Sequence, residues 1–343
     1  MRPTRSSAVA RLVACVCALR PQPSLAYGDR RSPGRPAPAY RSRGSTTTTR
    51  AAPSADASAF TLDSVRASLI RQEETIIYSL IERTQFAVNG EVYDKRGATF
   101  AEGDIADALK SNPAGCSFLD MMLYETEQCH ARARRYLSPE EYPFFPGDVA
   151  PPALPPLAYP EIIRDDGQNI NDQILAAYLD FVVPRGCAPG DDGQHGSTAI
   201  ADIACLQALS RRVHFGKFVA ESKFAADADA FRDLAARGDV PGIHALLENV
   251  AVEDNVVRRA MLKAVTFGQD AFSGMDPGYK VEPTLVASIY RNMIIPLTKQ
   301  VQVTYLLERL GHGDKVPKQP DDWPPYLRAF ARADTDPTTF LGY

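Results

Sequence analysis

Apolar side chains recur at helical spacing along most of this chain, and no other feature constrains its fold as strongly. Residues 61–86 read TLDSVRASLIRQEETIIYSLIERTQF, and their apolar positions lie on one face of an α-helix. These positions are Leu62, Val65, Leu69, Ile76, Ile77, Leu80 and Ile81. Similar patterns return in residues 115–137, 169–183, 197–224, 227–239, 240–268 and 282–310. Since alternating strand patterns are almost absent, we predict an all-α, single-domain multi-helix bundle over residues 60–311, without internal repeats.

Two segments interrupt the helical pattern. Residues 138–163 contain eight prolines, which excludes both a helix and a central strand. Residues 184–196, PRGCAPGDDGQHG, are rich in turn formers. Beyond the bundle, residues 312–343 form a polar C-terminal tail, in which Trp323, Leu327 and Phe330 are candidates for one docking turn. With 45% hydrophobic residues in 343, the chain can bury one large core or two modest ones.

The first 59 residues differ in composition from the rest. Residues 1–54 hold ten Arg and a single acid, Asp29, for a charge of +9, whereas residues 55–343 hold 28 basic and 41 acidic residues, for −13. An Arg- and Ser-rich stretch that is nearly free of acids is typical of an organelle transit peptide. A bipartite secretory leader and a disordered extension are the alternatives. We therefore predict that residues 1–59 are a targeting leader outside the fold.

The charge and the apolar runs also bear on partners. An acidic body is a poor match for a phosphate backbone, so we expect no nucleic-acid partner. The longest apolar stretch, AVARLVACVCAL, has twelve residues including Arg11, which is too short to span a bilayer. We expect no membrane partner and a soluble mature protein.

Common catalytic and cofactor motifs are missing from the sequence. It contains no GxGxxG after a strand, no GxxxxGK[ST] and no GxSxG elbow. The five His are scattered without metal-ligand spacing, and we expect no metal site and no cofactor. Cys116, Cys129, Cys187 and Cys205 form no CxxC pair, which favours reduced thiols.

Three cations lie on or beside apolar helix faces. Arg66 lies between Leu62 and Leu69, where the ordinary interpretation is a snorkelling side chain or a pair with Glu73 or Glu74. Arg212 and Lys223 are eleven residues apart, and in a continuous helix they point within about 20° of the same direction. Two long cations over the small residues Gly216 and Val219 would suit a small dianion. The alternative is a solvated helix face.

Uncharged and acidic side chains repeat at i, i+4 in two further places. Asn249 and Glu253 lie in ENVAVEDN, where a hydrogen bond on the helix surface is the simpler interpretation. Thr298 and Gln302 lie in PLTKQVQVTYLLERL and share one face of a strongly apolar helix. Either this pair belongs to a partly exposed helix start after Pro296, or it faces an internal polar pocket.

Several segments, taken in order, resemble the eukaryotic chorismate mutases of fungi and plants. These segments are LDSVRASLIRQEETIIYSLIER, PFFPGDVAPPALPPLAYPEI, ACLQALSRRVHFGKFVAESKF, NVAVED and IIPLTKQVQVTYLLERL. The resemblance covers about residues 60–310. It implies an all-helical homodimer that rearranges chorismate to prephenate on the route to phenylalanine and tyrosine, without a cofactor. A catalytically silent, all-helical protein that binds aromatic amino acids is the alternative, although a degenerate enzyme would be expected to lack one of the three cations.

The resemblance assigns a role to each of these side chains. It implies that Arg66 and Arg212 bind the two substrate carboxylates and that Lys223 donates to the ether oxygen. The polar residues Asn249, Glu253 and Thr298 would hold a carboxylate and the ring hydroxyl. At the final position, the fungal and plant enzymes have glutamate where this chain has Gln302. An amide donates at any pH, so we predict a flat rate profile from about pH 5 to 8.

The resemblance also implies regulation by tyrosine, phenylalanine and tryptophan at the dimer interface. The matching positions are Arg134, Arg135, Gly196 and Ser197. The effector-sensing threonine of the family falls on Ile200, which cannot hydrogen-bond an amino acid, so a response to tryptophan is in doubt. The leader and the pathway together favour a plastid location, with cytosol or mitochondrion as alternatives.

Overall fold

The described part of the computed structural model is entirely helical apart from loops and one isolated bridge between Gln269 and Tyr279. It comprises residues 62–95, 116–155, 163–164, 167–269, 278–318 and 322–328. Phe330 and the predicted leader lie outside these ranges. The α-helical class predicted from the apolar spacing is confirmed. None of the helices in these ranges has the length and apolar character needed to cross a membrane.

Eleven α-helices are found among the described residues. They are α1 (Leu62–Arg83), α2 (Phe118–Arg132), α3 (Asn171–Ala177), α4 (Val183–Gly186), α5 (His195–His214), α6 (Gly216–Ala226), α7 (Ala228–Arg237), α8 (Val240–Leu247), α9 (Val250–Gly268), α10 (Pro283–Ile289) and α11 (Ile295–Arg309). A π-helical turn, Tyr178–Val182, joins α3 to α4, and another, Tyr290–Ile294, joins α10 to α11. Short 3-10 turns follow at Gly90–Tyr93, Arg135–Leu137, Pro146–Asp148, Gly313–Lys315 and Pro325–Leu327.

The helix ends follow local sequence signals. Ser117 caps α2, and its hydroxyl accepts from the Asp120 amide while the Asp120 carboxylate accepts from the Ser117 amide, a reciprocal capping box. Asn249 caps α9 and accepts from the Val252 amide at 3.1 Å. This cap separates α8 from α9, so the stretch 240–268 forms two helices rather than one.

The larger core is built around α1 and α5. Ile77, Leu80 and Leu206 are fully enclosed there. Within it lies an ion pair between Arg83 and Asp202, whose Nε and Oδ1 atoms are 2.5 Å apart. The Asp202 carboxylate also accepts from the hydroxyls of Tyr178 at 2.6 Å and Tyr93 at 2.8 Å. Because every partner is satisfied, the buried charges are compensated, and removal of one would cost about 3–5 kcal/mol.

A second core lies beside the first, between α6, α7, α8 and α11. Phe224, Phe231 and Ile243 belong to it. From the C-terminal tail, Trp323 is 4% exposed and Leu327 is fully buried in the same cluster. The docking turn that the sequence indicated at Trp323 and Leu327 is therefore present.

A break between α5 and α6 corrects the sequence-based picture of one continuous helix from Arg212 to Lys223. The break falls at Phe215, and α6 begins at Gly216. A Cβ atom at Gly216 would lie 2.9 Å from the Thr298 carbonyl oxygen and 3.0 Å from Thr298 Cγ2. Glycine is therefore required there, because α6 and α11 touch at this point.

Candidate active site

A cavity of about 140 Å³ lies between α1, α5, α6, α9 and α11, with the end of α8 as a further wall. The structure places all seven predicted catalytic and substrate-binding residues in its lining. These are Arg66, Arg212, Lys223, Asn249, Glu253, Thr298 and Gln302. They come from five separate stretches of sequence, which the packing brings together.

Arg212 lies in a buried part of this lining. Its side chain is 5% exposed, and its Nη1 donates to Thr298 Oγ1 at 3.5 Å. The buried Nε atom has no hydrogen-bond partner among the described residues, and within this part of the chain no carboxylate lies within ion-pair distance. Burial lowers the pKa of Arg212, since the charged form loses solvation. A ligand carboxylate would compensate this charge.

Glu73 does not pair with Arg66, contrary to one of the two pairings considered from sequence. Its fully buried carboxylate binds Arg259 through two bonds, of 2.8 Å to Nε and 2.5 Å to Nη2, and lies 3.3 Å from Lys263 Nζ. Arg66 is exposed and lines the cavity from α1. We conclude that Arg66 is on the solvent side of the cavity and Arg212 on its inner side.

Lys223 projects into the cavity from α6. Its ammonium donates to the carbonyl oxygen of Leu247, the last residue of α8. Burial lowers the pKa of Lys223, and the nearby positive charges of Lys299 and Arg66 lower it further, whereas Glu253 acts in the opposite direction. A cation in such a position interacts strongly with any negative charge that develops beside it.

Lys299 also lines the cavity and was not singled out from the sequence. It is 8% exposed, and its Nζ lies 2.9 Å from Glu253 Oε2 and 3.0 Å from Glu248 Oε1. The pair orients the Glu253 carboxylate and offsets its charge. The only sequence feature that could have indicated Lys299 is its position inside the apolar segment IIPLTKQVQV, next to Thr298.

Three uncharged side chains, those of Asn249, Thr298 and Gln302, complete the polar lining. Thr298 is 6% exposed, and its hydroxyl donates to the Ile294 carbonyl oxygen at 2.6 Å. Gln302 is 7% exposed, and its side-chain amide makes no hydrogen bond with the rest of the described chain. The helix continues through Pro296 by way of the π-helical turn, so Thr298 and Gln302 do not belong to a frayed helix start. Both line the cavity, in agreement with the interpretation that the pair faces an internal polar pocket.

The four predicted effector residues are not brought together within one chain. Arg134 Nη1 donates to the Pro155 carbonyl oxygen at 2.7 Å, and Arg135 Nη1 donates to Gln207 Oε1 at 2.8 Å. Gly196 and Ser197 lie in the first turn of α5, eleven residues before Gln207, which is about 16 Å along the helix. Ile200 is 62% exposed on the same helix.

Other reactive side chains do not add to the site. Cys116, Cys129, Cys187 and Cys205 are free thiols, as the sequence indicated. Within the described ranges, Glu91, Asp191 and His195 have metal-ligand spacing, but they lie at or near the surface, and His195 Nε2 lies 2.8 Å from Asp191 Oδ2. None of these three residues lines the cavity.

The charge of the cavity defines the class of ligand. Four cations, Arg66, Arg212, Lys223 and Lys299, line it together with a single carboxylate, that of Glu253. An excess of positive charge, combined with hydrogen-bond donors in a partly closed space, suits a small dianion. The described part of the protein is thus all-helical, with a cavity whose charge suits a small dianion.

Comparison with known proteins identifies the family. Residues 195–303 match the family described as chorismate mutase type II. The chain is 43% identical over 258 residues to chorismate mutase 1, chloroplastic, of Petunia hybrida, covering 73% of this chain and 76% of the relative. It is 40% identical over 258 residues to the chorismate mutase of Schizosaccharomyces pombe, covering 73% and 96%. The chain belongs to the chorismate mutase family, whose members are isomerases.

Solved structures agree with this assignment. The structure of AtCM1 with tyrosine bound in its allosteric site matches with a TM-score of 0.64 at 40% identity, covering 74% of this chain and 98% of that one. A chorismate mutase from Candida albicans in complex with L-Trp matches with a TM-score of 0.66 at 39% identity, covering 74% and 93%. At these identities the likeness extends beyond the fold to the family.

Proposed function

We propose that this chain rearranges chorismate to prephenate in the cavity between α1, α5, α6, α9 and α11. The observation that carries the proposal is the convergence of Arg66, Arg212, Lys223 and Gln302 on one cavity. Chorismate is a flexible dianion, and its rearrangement needs no nucleophile and no cofactor. The protein has to hold the chair-like geometry in which a C–C bond forms while the ether C–O bond breaks.

In this proposal the two arginines bind the two carboxylates. Arg212 offers an Nε–H without a partner in the described chain, and Thr298 beside it adds a hydroxyl. Arg66 binds the second carboxylate at the solvent side. Asn249 and Glu253, the latter oriented by Lys299, hold the remaining polar groups. A planar guanidinium that meets a carboxylate through two bonds fixes both position and orientation.

The activation barrier is lowered by donors that stabilise the charge on the ether oxygen. Negative charge develops there in the transition state, so donors aimed at this atom stabilise the transition state more than the substrate. Lys223 and Gln302 are these donors. The partial burial of Lys223 strengthens its interaction with the developing charge, because less water screens it.

The direct test uses the full chain with chorismate, following substrate loss by absorbance and prephenate by chromatography. We expect conversion far above the uncatalysed rate. The Arg212→Met variant keeps most of the side-chain volume but loses the guanidinium, and it should bind substrate poorly, with a KM raised at least tenfold. Wild-type protein that is folded but inactive at every pH from 5 to 9 would refute the proposal.

We also propose that the protein is a homodimer with an effector site between subunits. Arg135 bonds Gln207 in the C-terminal half of α5, about 16 Å along the helix from Gly196 and Ser197 in its first turn. A site that contains these residues together needs two copies of the chain. The relatives solved with tyrosine, phenylalanine and tryptophan support aromatic amino acids as effectors. Calorimetric titration should show that tyrosine binds. Ile200 offers no hydrogen bond, so tight binding of tryptophan would contradict our account of that position.

For the remaining segments we propose a plastid targeting leader at residues 1–59, a catalytic and regulatory domain at 60–311 and a C-terminal tail at 312–343. Relatives named chloroplastic support the location, whereas the fungal relatives, which are not plastidial, do not support it. Residues 1–59 fused to a fluorescent protein should direct it into plastids. Cytosolic or mitochondrial fluorescence would overturn the assignment.

A further inference from the structure

The C-terminal docking segment, residues 322–328, packs against helices that line the active site. Leu327 is fully buried, and its carbonyl oxygen accepts from Gln300 Nε2 of α11 at 2.6 Å. Arg328 Nε donates to the Trp323 carbonyl oxygen at 2.6 Å, which closes the segment into a compact turn. The segment is thus held by both apolar burial and a buried hydrogen bond to α11.

The same segment contacts α8. The Tyr326 ring lies 4.6 Å from the His244 ring, measured between centroids. Leu327 belongs to the second core together with Ile243 and Leu247 of α8. A helix of only eight residues has little stability of its own and depends on packing for its position. The docking segment therefore helps to fix where α8 ends.

The end of α8 is in direct contact with the proposed catalytic machinery. The carbonyl oxygen of Leu247 accepts from the Lys223 ammonium, and the next residue, Glu248, binds Lys299 at 3.0 Å. Pro325, Tyr326 and Arg328 line a second cavity, of about 100 Å³, together with Glu253 and Lys299 of the active site. Only one layer of side chains separates the docking segment from the substrate cavity.

We infer that the docking segment is a positioning element for Lys223, acting through Leu247 at the end of α8. The inference rests on the proposed function, since it takes Lys223 as the donor to the ether oxygen. If the segment is loosened, the Leu247 carbonyl moves and the ammonium loses its anchor. A donor displaced by a fraction of an ångström stabilises the transition state less, while the arginines still bind the carboxylates. The loss should therefore fall on kcat rather than on KM.

The test compares two Leu→Ala variants of the full chain, Leu327→Ala in the docking segment and Leu123→Ala in α2. Both side chains are fully buried, but α2 contributes nothing to the lining of the substrate cavity. Rates are measured well below the melting temperatures of both variants. We expect Leu327→Ala to lower kcat about tenfold with KM within about twofold. Leu123→Ala should retain both values, and Leu327→Met should restore kcat.

A second variant keeps the inference testable if Leu327→Ala does not fold. The Tyr326 ring is only half-buried, so Tyr326→Ala should fold, lose its contact with His244 and lower kcat about threefold. Equal kcat in wild type and Tyr326→Ala, or an equal loss in Leu123→Ala and Leu327→Ala, would overturn the positioning role alone. Inactive wild-type protein would overturn the proposed function and this inference with it.

Discussion

Replacement of Gln302 by glutamate should convert a pH-independent enzyme into one that works only in acid. Gln302 is 7% exposed in the cavity wall and has no hydrogen-bond partner in the described chain, so its amide is available to the substrate. A Cβ atom added at Gly216 would lie 3.5 Å from Gln302 Cγ. The Gln302 side chain therefore lies at the contact with α6, the helix that carries Lys223. The amide donates at every pH, whereas a carboxyl donates only when protonated.

The size of the effect follows from the titration of the new carboxyl. An ordinary glutamate has a pKa of about 4.3; burial in the cavity would raise it, and Lys223 and Lys299 would lower it. For each pH unit above the pKa, the protonated fraction of the carboxyl falls tenfold. The decline ends when the donor is lost altogether, which costs about 10² to 10³ in rate. Since part of this loss is already present at pH 5, we expect kcat of Gln302→Glu to fall about 10- to 10²-fold from pH 5 to pH 8.

The assay is the initial rate of prephenate formation at saturating chorismate from pH 5 to 9, with Gln302→Met as the matched control. The methionine has similar volume but no donor, so its rate should be low and as flat as that of wild type. Burial lowers the pKa of Lys223, so any alkaline decline should start at a lower pH than for an ordinary lysine, and it should be the same in wild type and Gln302→Met. If Gln302→Glu follows the wild-type profile, Gln302 does not donate to the substrate.

Two further substitutions test the packing around the site. Gly216→Ala places a methyl group about 3 Å from Thr298, so α6 and α11 should move apart. We expect the free energy of unfolding, measured by chemical denaturation, to fall by about 1–3 kcal/mol, together with a lower kcat. Unchanged activity would contradict the close approach of the two helices. Asp202→Asn leaves the buried Arg83 without a counter-charge and should lower the free energy of unfolding by about 3–5 kcal/mol in the same experiment. The folded variant should retain its kcat, because neither residue lines the cavity. A loss below 1 kcal/mol would show that Arg83 finds other compensation.

Much of the fold could be predicted because the helices carry regular apolar faces. The spacing in residues 61–86 predicted α1, and the described residues of the Pro-rich stretch, 138–155 and 163, contain no α-helix, as predicted. The break at Phe215 was missed, since the residues on both sides have good helical pattern and the only signal is Gly216. That glycine is explained by α11, a helix eighty residues further along the chain, and local sequence carries no information about such a contact.

The candidate site was predictable in its residues but not in its geometry. Arg66, Arg212 and Lys223 stood out because long cations on apolar faces are uncommon, and the family resemblance then assigned their roles. Lys299 escaped notice because a lysine next to a polar residue ordinarily faces solvent. Its contacts with Glu248 and Glu253 arise only when α9 and α11 pack together. Likewise, nothing in the sequence shows that the end of α8 anchors Lys223 or that residues 322–328 hold α8 in place.

The most direct test of the central claim is the steady-state rate of prephenate formation by wild type and by Lys223→Met at pH 7. If Lys223 donates to the ether oxygen in the transition state, the variant should keep KM within a few-fold while kcat falls by about 10² to 10³. A loss below tenfold, or a loss that falls entirely on KM, would contradict this mechanism.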